Sequence, residues 1–149
     1  MRRVILYTDG ACLGNPGRGG WAFVLKDEAL GRALERSGGE ADATNNRMEV
    51  MAVVQGFEAL KRPCLVEVVS DSEYVVTVLE GLGGYAACGF QKSPNSARMM
   101  KNYDLWRRLW HACKGHEVRV RWTRGHVGHP ENERCDALAT AAAREVAQA

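Results

Sequence analysis

The 149-residue chain contains no long hydrophobic run; Met1-Arg2-Arg3 passes at once into an apolar stretch too brief for a signal-peptide core or a membrane span. A cytoplasmic protein with no membrane attachment is therefore expected. The five cysteines, Cys12, Cys64, Cys88, Cys113 and Cys135, are odd in number, widely spaced and never form Cys-x-x-Cys. That pattern indicates neither a disulfide framework nor a zinc knuckle, and points to reduced thiols in or near a core. A surplus of one charge is missing too: 20 basic residues against 18 acidic ones leave +2, a weak argument by itself for a nucleic-acid partner. The Gly14 to Gly20 segment lacks the Gly-Lys-Ser/Thr ending of a phosphate-binding loop, so it reads as turn structure and nucleotide triphosphate binding is not supported.

What is present fits one domain able to bury roughly two thirds of its unfolded surface. The pattern predicts a strand at about residues 3–10, a wide Gly-rich loop, a strand through Trp21-Ala22-Phe23-Val24-Leu25 and a third antiparallel strand over 30–39. The period then changes. Val50, Val53, Val54 and Phe57 recur at helical spacing within 46–61, and Pro63 blocks continuation. A strand at 65–70, a helix at 72–82, a poorly periodic stretch to about Ala97 and a helix at 103–113 follow. Val118, Val120 and Trp122 alternate with Arg119 and Arg121 in a last strand, and Pro130 suits the first turn of a final helix reaching about Val146. A helix between the first strand pair and the fourth strand implies parallel pairing of strands one and four. This sets Asp9 and Asp71 side by side at the carboxyl edge of an open α/β sheet, where such sheets bind ligands.

Four carboxylates lie where charge is costly. Asp9 follows Val4-Ile5-Leu6-Tyr7-Thr8, Asp71 follows Val66-Glu67-Val68-Val69-Ser70, Glu49 opens an apolar helix, and Asp136 sits in the second turn of the last one. Carboxylates gathered within a few Å repel unless they protonate or a hard cation neutralises them. Two Mg²⁺ ions roughly 4 Å apart would neutralise the cluster and suit phosphodiester chemistry, so a phosphate-bearing polyanion is the expected substrate. Each acid also has an ordinary structural explanation. Asp71 before Ser72 and Glu73 fits a helix N-cap, Glu49 three residues after Asn46 fits a capping box, and Asp136 has Arg134 nearby to pair with. His126 and His129 form His-x-x-His near Cys135, an unusual spacing for zinc among so many acids. His126, in a Gly-flanked loop, is the better candidate for an auxiliary proton-handling role, and His129 for a helix start. The four tryptophans, Trp21, Trp106, Trp110 and Trp122, read as core, and Arg119 and Arg121 as a solvated strand face.

The motifs reach further than any one acid. Tyr7-Thr8-Asp9-Gly10-Ala11-Cys12 with Gly14-Asn15-Pro16-Gly17, Thr44-Asn45-Asn46-Arg47-Met48-Glu49, Ser70-Asp71-Ser72 and the run from Gly125-His126 to Cys135-Asp136 occur in order along nearly the whole chain. In these the chain closely resembles bacterial ribonuclease H of type 1. The resemblance implies a ribonuclease H-like α/β fold, a five-stranded mixed sheet of three antiparallel strands plus parallel ones flanked by helices. It implies a single domain over residues 1–149 with no N-terminal hybrid-binding module, acting as a monomer. It further implies metal-dependent hydrolysis of the RNA strand of RNA/DNA hybrids, leaving 5′-phosphate and 3′-hydroxyl ends. By that pattern Asp9 would bridge two Mg²⁺ ions, with Mn²⁺ possible. Asp136 would complete the ion that binds the attacking water, Glu49 and Asp71 would hold the second, and His126 would assist proton movement or product release. Cys12, Asn15, Asn45 and Asn46 match positions that approach the minor groove and the RNA 2′-hydroxyls, the group that distinguishes RNA from DNA. Thr44, Asn15 and Asn102 match positions that grip a phosphate of the DNA strand.

The chain departs from the pattern at Gly83 to Met100, where well-known relatives carry a basic, Trp-rich protrusion and this chain has only Lys92, Arg98 and Lys101 in or beside the segment. Fewer cations release fewer counterions, so weaker and less salt-sensitive binding is expected. Glu73 stands where a neutral Gln is common. Two competing readings remain: a catalytically weak hybrid-binding module of the same fold, and a DNA nuclease or strand-transferase of the superfamily. The presence of the four acids and His126 weighs against the first, and Cys12, Asn15, Asn45 and Asn46 against the second.

Overall fold

A computed structural model describes residues 1–124 and 129–146. Three long strands, β1 (Arg2–Leu13), β2 (Gly17–Asp27) and β3 (Arg32–Ala43), form an antiparallel meander, and α1 (Asn45–Glu58) leads from it to β4 (Cys64–Ser70). Then come α2 (Glu73–Glu80), α3 (Leu82–Ala87), α4 (Tyr103–Ala112), β5 (Glu117–Trp122) and α5 (Pro130–Glu145). The sheet order is β3-β2-β1-β4-β5, with β4 parallel to both β1 and β5. The mixed five-stranded sheet expected from the sequence is the one observed.

Strand alternation divides the core. Val4, Leu6, Val66 and Val68 point to the face covered by α1, α2 and α4, where Met48, Val50, Val53, Val54, Phe57, Trp106 and Leu109 are buried. Tyr7, Ala22, Val24 and Val69 point to the other face, against Cys135 and Ala139 of α5. Such doubly covered strands read as nearly continuous apolar runs, as β4 does.

Several boundaries differ from expectation. The wide loop is a short turn at 14–16, because Gly17–Gly20 already belong to β2 and pair with β1 and β3. Gly20 is there for closeness, not for turning: an added Cβ would collide with the α5 backbone at Ala139 and Ala143. β1 runs on to Leu13, since β2 continues to pair with it, so Asp9 lies within a strand instead of ending one. The stretch after α2 opens with a short helix, α3, built on Leu82-Gly83-Gly84, whose glycines have poor helix propensity and hide it from pattern reading. Trp106 is fully buried as expected, but Trp122 is 44% exposed because β5 is the sheet edge. Arg121 pairs with Glu67 on β4 instead of simply facing water, while Cys88 is exposed, unlike the buried Cys64 and Cys135.

Candidate active site

The site is assembled where β1 leaves β4. Their parallel pairing ends at Tyr7 and Val69, and two residues beyond each stand Asp9 and Asp71. Asp71 follows the end of β4 in a bend fixed on both sides: Ser72 N–H donates to Ser70 Oγ at 3.0 Å and Thr123 N–H to Ser70 O at 2.9 Å. The cap of α2 is Ser72, whose Oγ accepts from Val75 N–H at 3.2 Å, so Asp71 is not the N-cap its sequence position suggested. Its backbone oxygen accepts instead from Trp122 Nε1 at 3.3 Å.

Glu49 arrives from α1. The cap of that helix is Thr44, accepting from Arg47 N–H at 3.2 Å, which puts Glu49 well inside the helix and removes the capping-box explanation for it. Gly10 lets the helix approach: a Cβ there would lie 2.5 Å from Glu49 N and 2.6 Å from the Met48 carbonyl carbon. Through this contact the Gly10 N–H donates to Asp9 Oδ1 at 2.8 Å and to Glu49 Oε1 at 3.1 Å, a shared donor that pattern reading did not single out.

Asp9, Glu49 and Asp71 each offer an oxygen, and these atoms lie within 4.8 Å of one another. Asp9 and Glu49 are buried, only 5% and 9% exposed. Burial pushes the Asp9 carboxyl up to about 6, reinforced by the Asp71 and Asp136 charges and opposed by bonding to Glu49 and Gly10. Burial, then the neighbouring Asp9 and Asp71, raise Glu49 well above the usual carboxylate range. Among the described residues, Glu49 Oε2 is buried with no hydrogen-bond partner. A buried oxygen acceptor left over among crowded carboxylates fits a hard divalent cation, which supplies the missing positive charge and takes oxygen ligands. Asp136, half-buried on α5, stands outside the tight trio but near enough for its charge to raise Asp9; its neighbour Arg134 pairs with Glu35, at 2.7 Å, and not with it. His126 lies outside the described residues, and His129 occupies the start of α5 with no side-chain capping bond.

The other predicted residues gather around the start of α1. Cys12 Sγ reaches Ala43 O at 3.3 Å, and Asn15 Oδ1 accepts from Asn45 N–H at 3.2 Å, so the 14–16 turn is tied to the helix start. Asn15, Thr44, Asn45 and Asn46 are exposed along this ridge. Asn102 joins it from the start of α4 through Arg47, whose Nη1 donates to Asn102 Oδ1 at 3.4 Å. Arg47 lies inside the Thr44-to-Glu49 motif but is given no role by the sequence.

The family model for RNase H matches residues 1–144. The chain belongs to the RNase H family. Among RNase H relatives, the ribonuclease H of Ralstonia nicotianae is 51% identical over 140 residues, covering 93% of this chain and 90% of its own. The crystal structure of LC9-RNase H1, a type 1 RNase H with the type 2 active-site motif, superposes with a TM-score of 0.80 at 30% identity, covering all of this chain and 75% of that one. LC11-RNase H1, solved in complex with an RNA/DNA hybrid, shares the fold with a TM-score of 0.74 at 24% identity, covering 96% of this chain and 98% of its own. The fold and family anticipated from the four motifs are therefore those found.

Proposed function

We propose that this chain is a metal-dependent endonuclease that hydrolyses the RNA strand of RNA/DNA hybrids, leaving 5′-phosphate and 3′-hydroxyl ends. The observation that carries the reading is the trio Asp9, Glu49 and Asp71, gathered within 4.8 Å, with a buried Glu49 oxygen that has no hydrogen-bond partner among the described residues. Family membership supplies the reaction class. Asp9, Glu49, Asp71 and Asp136 would hold two Mg²⁺ ions, Mn²⁺ being able to replace them. When bound, such ions provide Lewis acidity and lower the pKa of a coordinated water.

The protein's own part is to hold and orient. Asp9 and Glu49 are fixed by the Gly10 N–H, and Asp71 by the pinned bend, so the carboxylates meet a cation with little rearrangement. His126 is assigned proton movement at its imidazole or release of product. Cys12, Asn15, Asn45 and Asn46 are assigned to the minor groove and the RNA 2′-hydroxyls, and Thr44, Asn15 and Asn102 to a phosphate of the DNA strand. The hydrogen bonds joining Asn15 to Asn45 and Arg47 to Asn102 support treating these as one surface. The chain is proposed to work as one catalytic domain and as a monomer. The five free cysteines suit a reducing compartment such as the cytoplasm.

The test is cleavage by the pure protein of a strand-labelled hybrid beside RNA/RNA and DNA/DNA duplexes. Cutting confined to the RNA of the hybrid is the expected result. Tight hybrid binding without turnover in either metal would replace the nuclease reading with that of a binding module, and cutting of the DNA duplex would replace it with a DNA nuclease.

A further inference from the structure

Asn102 precedes α4 in the left-handed conformation, φ 60° and ψ 23°, and makes no side-chain capping bond to its own helix although asparagine is a favoured cap. Its amide is held elsewhere, at both ends. Oδ1 accepts from Arg47 Nη1 at 3.4 Å, and Nδ2 donates to Tyr74 Oη at 3.2 Å. The tyrosine oxygen is itself fixed by Trp106 Nε1 at 3.0 Å, and Trp106 is wholly buried. Arg47 is anchored by a two-pronged pair to Asp104, at 3.1 and 2.7 Å, and by a longer contact to Glu40 of β3 at 3.6 Å. The backbone N–H of the same Arg47 is the one that Thr44 caps. A single residue thus links Thr44, the cap of α1, to Asn102 at the start of α4.

Two carboxylates already answer the Arg47 charge, so attraction of a polyanion is not what this guanidinium contributes. Its contribution is geometric: a planar fork can hold Asp104 with two nitrogens and still reach Asn102, whereas a lysine of the same charge gathers its three N–H donors on one nitrogen and cannot span both partners in that plane. With Oδ1 facing Arg47 and one N–H facing Tyr74, the amide cannot flip without losing both bonds, and its second N–H keeps one direction.

We propose that Arg47, together with Tyr74, is a positioning residue that locks the Asn102 amide so that its remaining N–H and the Thr44 hydroxyl grip one backbone phosphate of the bound duplex. This rests on the hybrid-cleaving reading above and adds the residues that make the grip rigid. The test compares KM, kcat and Tm for hybrid cleavage by the wild type, Asn102→Ala, Arg47→Lys, Tyr74→Phe and the Arg47→Lys/Asn102→Ala double variant. Loss of one hydrogen bond to substrate predicts KM raised roughly three- to tenfold in Asn102→Ala. Arg47→Lys and Tyr74→Phe should each reproduce most of that rise, with KM moving more than kcat, and the double variant should be no worse than Asn102→Ala, because all act through one amide. Wild-type KM in both Arg47→Lys and Tyr74→Phe, or effects that add fully to Asn102→Ala, would overturn the proposal. Should Arg47→Lys fail to fold, Tyr74→Phe, which leaves every charge in place, decides alone. Should the wild type cut no hybrid, the nuclease reading fails separately. The same comparison is then made on hybrid Kd by fluorescence anisotropy, where unchanged affinity in Arg47→Lys and Tyr74→Phe overturns the clamp.

Discussion

Asp9 concentrates the electrostatic cost of the site. It is buried, beside Glu49 and Asp71, and its carboxyl is raised from 3.8 to about 6. Asp9→Asn should lower Mg²⁺-dependent cleavage by on the order of 100-fold or more, because a ligand to the ions is lost, while raising Tm in the absence of metal, because one repelling charge is gone. Near-normal cleavage by this variant would break the assignment. A pH dependence follows from the same residue. A carboxyl with a higher pKa folded than unfolded binds more protons in the folded state between the two values, so stability falls as pH rises through that window. In chelator-treated protein the Tm advantage of Asp9→Asn over wild type should therefore be small near pH 4 and grow toward pH 6 and above. A difference that stays flat across this range would show that Asp9 is not held protonated by its surroundings. Saturating Mg²⁺ should abolish the growth, since the ion answers the charge.

At the level of elements, the site depends on how closely α1 lies on β1, and Gly10 sets that distance. Gly10→Ala should push the start of α1 away, costing about 1–3 kcal/mol by overpacking, and should lower apparent Mg²⁺ affinity through separation of Glu49 from Asp9. A variant with unaltered Tm and metal dependence would mean that the helix start yields freely. Ser72→Ala removes the α2 cap and should cost about 1 kcal/mol, read as a lower Tm. The elements differ in how far the sequence reveals them. The apolar period of α1 and the continuous run of β4 are local, so both were legible. The cap of α1 was not, since Thr44, Asn45 and Asn46 are all competent caps and only the backbone selects Thr44. The length of β1 and the strand character of Gly17–Gly20 depend on partners distant in sequence, and α3 lacks an apolar stripe, burying only Leu82. Among the proposed site residues, the four acids are visible in the sequence as charges out of place, and the structure gathers three of them, Asp9, Glu49 and Asp71. Arg47 is not legible there, because its role is visible only once β3, α1 and α4 meet.

At the scale of the whole molecule, a net charge of +2 leaves little surplus of cations for the polyanion proposed as substrate. The segment around α3 supplies few cations, and two of the arginines near the sheet edge and the α1 start are engaged internally, Arg121 with Glu67 and Arg47 with Asp104. The slope of log KM for the hybrid against log salt should accordingly be shallower than for a family member with a basic protrusion, each missing phosphate contact removing about one unit. An equal slope would mean that other basic residues compensate. The acid cluster where β1 parts from β4 is proposed to cut RNA only when it is paired with DNA. The most direct test is a strand-labelled RNA/DNA hybrid incubated with the pure protein across Mg²⁺ and Mn²⁺ concentrations beside RNA/RNA and DNA/DNA controls. Metal-dependent cutting of the hybrid's RNA strand alone, with 5′-phosphate ends, is the expected result; an intact hybrid at every metal concentration, with folded protein, would rule the nuclease assignment out.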